Sequence, residues 1–199
     1  MRISADTYHF QAGKLPLTFP RRLKDNPTYF NYRSEGGRVL YGEDVYVGYR
    51  YYDGLEVDPL FPFGHGLSYT TFKISDLELT KDSESSLQVK LKLQNTGPRD
   101  GSEVVQVYVA PLSSPIRRPV KELKEFRKVQ LAAGSQEDVT IPLDLIRATS
   151  FWDEKSSSWC SHSGSYNILV GTSSRGVFLE GSLDIAETIF WTGSWDAPI

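Results

Sequence analysis

Ser161 and His162 are adjacent, and Asp153 lies shortly before them in "WDEKSSSWCSH". Serine, histidine and aspartate are the parts of an acyl-transfer triad: histidine takes the serine proton and the carboxylate orients its ring. Closeness in sequence does not create that geometry, and the chain has no G-x-S-x-G nucleophile elbow. His162 is therefore expected in a solvated loop. Asp153 and Glu154 are neighbouring carboxylates, the residue types of an acid and base pair. Adjacent strand residues point to opposite faces, which separates them.

A second stretch, "LFPFGHGLSYTTF" from Leu60 to Phe72, alternates aromatic rings and glycines around His65. It fits no phosphate-loop or dinucleotide fingerprint. The expected role is a tight linker. Gly64 and Gly66 would supply positive φ, and Phe61, Phe63 and Tyr69 would pack against both neighbours. His65 is then a structural contact. The basic run "IRRPVKELKEFRK" is interrupted by Glu122 and Glu125. It is expected to be a solvated strand edge whose charges discourage pairing with another chain, and not a nucleic-acid site.

Aromatic rings can also stack on sugar faces. The four tryptophans are Trp152, Trp159, Trp191 and Trp195. Trp152 follows Phe151 in a strand-like context and is expected in the core. Trp159, in a serine-rich loop, is the carbohydrate-binding candidate.

The bulk properties narrow the rest. The chain has 199 residues, 39% of them apolar, and a net charge of −3. No global basic field exists to hold nucleic acid. No apolar run approaches the ~20 residues of a membrane-spanning helix. Cys160 is the single cysteine, so no internal disulfide forms, and no zinc-ligand spacing surrounds it. "NPT" at Asn26 is excluded as a glycosylation acceptor by its proline, and the start lacks the order of an export signal. These features suit an intracellular chain, yet leave the compartment open.

The elements that must position these residues fall into two textures. Residues 1–69 are rich in aromatics, Gly, Pro and Arg and show little periodicity. "DVYVGYRYYD" is expected to form one strand, with Val45, Val47, Tyr49 and Tyr51 on a common face. No capped amphipathic helix is expected here. Such a region would struggle to bury its own core and is expected to be the end of a larger domain. From residue 70 to 187 the pattern is regular. "SLQVKLKLQN" alternates strictly and predicts a half-buried strand. "EVVQVYVAP" is denser and predicts a central strand. "VKELKEFRKVQL" predicts a strand with a bulge or bend, and "DVTIPLDL" another. "SFWDEKSSSWCSHSGSYNILVGTSS" predicts strand, loop, strand, and "GVFLEGSLDI" closes the set. Short strands between turn signals predict a mainly β, immunoglobulin or fibronectin type III-like antiparallel sandwich. The tail, 188–199, is aromatic but unpatterned.

"YGEDVYVGYRYYD" followed by "LFPFGHGLSYTTF" resembles the C-terminal signature of glycoside hydrolase family 3, and fungal β-glucosidases in particular. "LQNTGPRDGSEVVQVYVAP", "RPVKELKEFRKVQLAAG", "SFWDE" and "GSYNILVGTSS" are similar to its fibronectin type III-like domain, in the same order. "GKLPLTFPRRLKDNP" resembles the end of its α/β sandwich domain. The resemblance implies hydrolysis of terminal non-reducing β-D-glucosyl units by the full-length enzyme, without cofactor or metal. It also implies that the nucleophile and the acid/base lie upstream of these residues, so no catalytic residue is carried over. A (β/α)8 barrel alone takes ~250 residues, more than this chain has. The expected role is a non-catalytic docking module whose partner is the remainder of the enzyme. A stand-alone sandwich that binds a protein, a β-glucoside or a glucan is the alternative. Members of the family are often secreted, while the branch closest in wording often lacks an export signal.

Overall fold

The computed structural model describes residues 13–33, 36–176 and 178–193. Two sheets face each other. The first has the order β1-β2-β5, from Phe72–Lys81, Ser86–Asn95 and Gln136–Asp144. The second has the order β4-β3-β8-β9, from Glu122–Leu131, Gly101–Pro111, Gly164–Gly171 and Leu179–Ile185. All strand pairs are antiparallel.

The alternation in β2 does what it predicts. Leu87, Val89, Leu91 and Leu93 are all 3% exposed or less, and the intervening Gln88, Lys90, Lys92 and Gln94 line the outer face. Burying four such side chains stabilises by roughly 6–12 kcal/mol, an upper bound. Facing them are Val105, Val107, Val109, Ile168, Val170 and Tyr166. β3 is central, paired on both sides, and β4 meets it with a register shift at Val107/Tyr108, the expected bulge. Phe126 of β4 is exposed, while Val129 and Leu131 turn inward.

A short helix, α2 (Leu145–Thr149), follows β5 where no helix was expected. The Asp144 side chain caps it by accepting from Arg147 N at 3.0 Å. The stretch after it holds three strands, not two. β6 (Ser150–Asp153) and β7 (Ser158–Ser161) form a hairpin before β8. The tail supplies β10 (Ile189–Trp191), which pairs with β7 and completes a small sheet of order β10-β7-β6. Trp195 lies outside the described residues.

Residues 13–69 form an arm laid against the second sheet. Segments near Phe19 and Phe61 meet in a single antiparallel bridge, with Phe19 N donating to Phe61 O at 2.9 Å. The expected strand at "DVYVGYRYYD" is instead a turn followed by helix α1 (Tyr49–Gly54). Gly48 precedes it at φ +54 and ψ −139, a backbone state that favours glycine. Val45 and Val47 are exposed, whereas Tyr49 and Tyr52, one helical turn apart, are buried. The same letters fit both a period of two and a spacing of three. The side that the sandwich covers selects the helix.

Candidate functional site: the arm seam and the adjoining groove

Two features could carry function: the seam that fixes the arm, and an open groove beside it. Asp53 of α1 is the hub of the seam. Its Oδ2 lies 2.6 Å from Lys121 Nζ, and its Oδ1 2.9 Å from Arg175 Nε. Only 7% of the Asp53 side chain is exposed. Arg175, in the loop after β8, also donates to the carbonyls of Tyr52 and Val57, both at 3.0 Å, and to Asp58 at 2.7 Å. A planar five-donor guanidinium can tie a helix end and a following loop together in this way. A further buried pair, Lys14 to Glu103 at 2.7 Å, fastens the start of the arm to β3.

An aromatic column lies alongside. Phe63 packs on Tyr49 at 5.2 Å between centroids, Tyr49 meets Tyr108 edge-on at 5.9 Å, and Tyr108 meets Phe178 at 5.9 Å. Tyr49 Oη accepts from Leu123 N at 2.8 Å, so α1 also caps the edge of β4. Tyr108 is fully buried and donates its hydroxyl to Gln106 Oε1. Burial pushes the Tyr108 phenol far above its ordinary pKa, so it stays a donor.

The glycines of the linker are needed for different reasons. Gly64 has φ +78, as expected. Gly66 does not have a positive φ; a Cβ there would sit 2.1 Å from Gly13 O, so close backbone approach requires the glycine. Phe63 packs into the seam, but Phe61 and Tyr69 are exposed, a correction to the expected double packing. Phe61 stacks on His65 at 5.0 Å, and His65 O accepts from Leu15 N at 2.8 Å. His65 is thus a structural contact.

The triad reading fails on geometry. Ser161 is 1% exposed and its Oγ shares a 2.6 Å hydrogen bond with Thr149 Oγ1. Asp153 accepts from Ser156 N at 3.0 Å, at the other end of the hairpin, opposite Ser158. Three residue steps along the strand separate the two positions, about 10 Å. Cys160 is buried, and burial raises its thiol pKa, which keeps it protonated and inert.

The tryptophans sit differently from expectation. Trp152, expected in the core, is 48% exposed. Trp159, expected in a loop, is half-buried on β7, edge-on to Trp152 at 5.5 Å and stacked on Trp191 at 5.8 Å. Strand period alone could not show this, because both faces of a two-layer hairpin can be covered.

Trp152 and Trp159 border a groove of about 1010 Å³, walled by the arm at Asp44–Arg50, by the segment before β4 and by the β6–β7 hairpin. Its floor is ionic. Glu122 Oε2 lies 3.0 Å from Arg118 Nη2 and 3.6 Å from Lys124 Nζ, and its Oε1 lies 3.5 Å from Arg50 Nη2. Burial pushes the Glu122 carboxyl up, and Lys124, Arg118 and Arg50 together outweigh it, so its pKa falls below the ordinary value. In the sequence Glu122 only interrupts a basic run. The meeting of its cations depends on α1, which no local pattern reveals.

A fibronectin type III-like domain matches residues 103–174. A putative β-glucosidase of Schizosaccharomyces pombe is 52% identical over 181 residues, which is 91% of this chain and 22% of that protein. The crystal structure of a β-glucosidase from Kluyveromyces marxianus in complex with glucose superposes with a TM-score of 0.88 at 43% identity, over 92% of this chain and 22% of that one. A glycoside hydrolase family 3 β-glucosidase of Bifidobacterium adolescentis gives a TM-score of 0.84 at 40% identity, over 93% and 28%. The chain corresponds to the C-terminal part of glycoside hydrolase family 3 β-glucosidases. It matches the C-terminal, fibronectin type III-like portion of the family's β-glucosidases and spans about a fifth of the length of the curated relatives. The arm and the sandwich together carry the likeness, since the matched share extends well beyond the domain at 103–174.

Proposed function

We propose that this chain serves as the non-catalytic docking part of a longer β-glucosidase that removes terminal non-reducing β-D-glucosyl units. The observation that carries this reading is the two-sidedness of the arm. Its inner side is fixed to the sandwich by the Asp53 network and the aromatic column. Its outer side leaves Leu23, Phe30, Tyr32, Leu40, Tyr41 and Leu67 at least 70% exposed. This many large apolar side chains left open on one short arm favour a surface that is covered by another part of the protein. A retaining glycosidase needs two carboxyls ~5–5.5 Å apart across the scissile bond. The half-buried Asp153 and the exposed Glu154 follow one another in the chain and offer no such opposed pair.

The test is catalytic. Purified chain incubated with an aryl β-glucoside is expected to release no aglycone above buffer. Turnover that co-purifies with the chain and vanishes on mutation of its own carboxylates would refute the proposal.

A second reading, carbohydrate binding by the sandwich itself, is favoured by the indole of Trp152 standing open beside Trp159 at the groove. Trp159→Ala removes the ring that supports Trp152. It is expected to weaken oligosaccharide affinity about tenfold, by titration, with the main melting transition retained. An unchanged affinity would assign the rings to packing alone.

A further inference from the structure

The groove floor is not electrically balanced. Three cations, Arg50, Arg118 and Lys124, face the single carboxylate of Glu122. These side chains are 32%, 4%, 13% and 14% exposed, respectively. Arg118 donates through its terminal nitrogens to Thr149 O at 2.8 Å and Ser150 O at 3.4 Å, but its buried Nε has no hydrogen-bond partner among the described residues. The Lys124 ammonium stands 3.6 Å from Glu122. Burial, opposed by Glu122 and reinforced by Arg118 and Arg50, holds the Lys124 pKa below its ordinary value. A charge so placed is stabilised most by a further anion.

The rim has the opposite character. Asp153 and Glu154 offer carboxylate acceptors, and Trp152 offers an exposed indole face. A simple anion would use the floor and be repelled by the rim. A neutral sugar would use the rim and leave the floor unbalanced. A sugar bearing a carboxylate uses all three: its C–H face on the indole, its hydroxyls donating to the rim acids, and its carboxylate on Lys124 and Arg50. We propose that this groove binds a β-linked oligosaccharide carrying a uronic acid residue. The proposal rests on the second reading above, that the sandwich binds carbohydrate.

The experiment is calorimetric titration of the full chain with glucuronyl-β-1,4-glucose and with cellobiose, which share rings and linkage and differ in the carboxylate. The acidic disaccharide is expected to bind at least tenfold more tightly. Lys124→Gln is expected to erase that difference, and Trp152→Ala to weaken both ligands. Arg50→Gln, on α1, removes a second floor charge from a different element and should narrow the same difference. Equal affinities in the native chain overturn the uronic acid inference and leave sugar binding standing. No binding of either ligand overturns both. Acetate binding as tightly as the acidic disaccharide also overturns the inference, since the site is then a generic anion site.

Discussion

Asp53→Ala is expected to free the arm from a sandwich that stays folded. The substitution removes the one carboxylate that Lys121 and Arg175 share, at 2.6 and 2.9 Å. Lys121 is left with a charge in a position only 11% exposed and no carboxylate opposite it. Breaking a buried pair from one side costs about 3–5 kcal/mol, most of it the penalty of the stranded partner. The Arg175–Asp58 contact compensates little, because Asp58 is 78% exposed and its pairing is screened. The sandwich core does not include Asp53, and β2, β3, β5 and β8 keep their neighbours. Amide hydrogen exchange is the discriminating measurement. Protection of the α1 amides and of the Gly64 and Leu15 amides should fall on the order of a hundredfold or more, while that of β2 and β3 holds. Parallel loss in both regions would show that arm and sandwich unfold as one unit and would defeat the idea of a separately docked arm.

Tyr108→Ala should act on both parts at once. Tyr108 sits on the central strand β3, fully buried, with Tyr49 on one side and Phe178 on the other. Truncating a buried aromatic to alanine costs about 3–5 kcal/mol, because the cavity adds to the lost transfer energy. For a chain of this size, that lowers the melting temperature on the order of 6–20 °C. Tyr108→Phe isolates the hydroxyl. It leaves Gln106 Oε1 without the donor that Tyr108 supplies, and a buried acceptor so stranded costs about 1–3 kcal/mol. A melting temperature unchanged in the alanine variant would mean that the column is not cohesive and that the ion network alone seats the arm.

Much of the sandwich was legible because strand burial obeys a local rule. "SLQVKLKLQN" can bury one face and wet the other only if it is extended, and its four apolar residues are the ones found inside. The density of "EVVQVYVAP" marked a strand covered on both faces, which β3 is. Signals that depended on a partner misled. Local context places Trp152 inside and Trp159 in a loop, and the packing of β10 on β7 inverts their exposure. The serine-rich stretch concealed β7, because Ser158, Cys160 and Ser161 are small enough to be buried without an apolar pattern. α2 was hidden because five residues give too little periodicity to see, and its Asp144 cap looks like any strand end.

The candidate site was less visible still. Glu122, Arg118, Lys124 and Arg50 are scattered between two regions of opposite texture, and Asp53, Lys121 and Arg175 are separated by most of the sandwich. The order of letters alone determined the strand faces of the sandwich, the positive φ of Gly64 and the likeness to family 3, since each is written in neighbouring residues. Only the tertiary structure decided which charges meet and which rings stay open. A pairwise contact is a property of two surfaces brought together, and the energy of a buried charge depends on the partner supplied by the other.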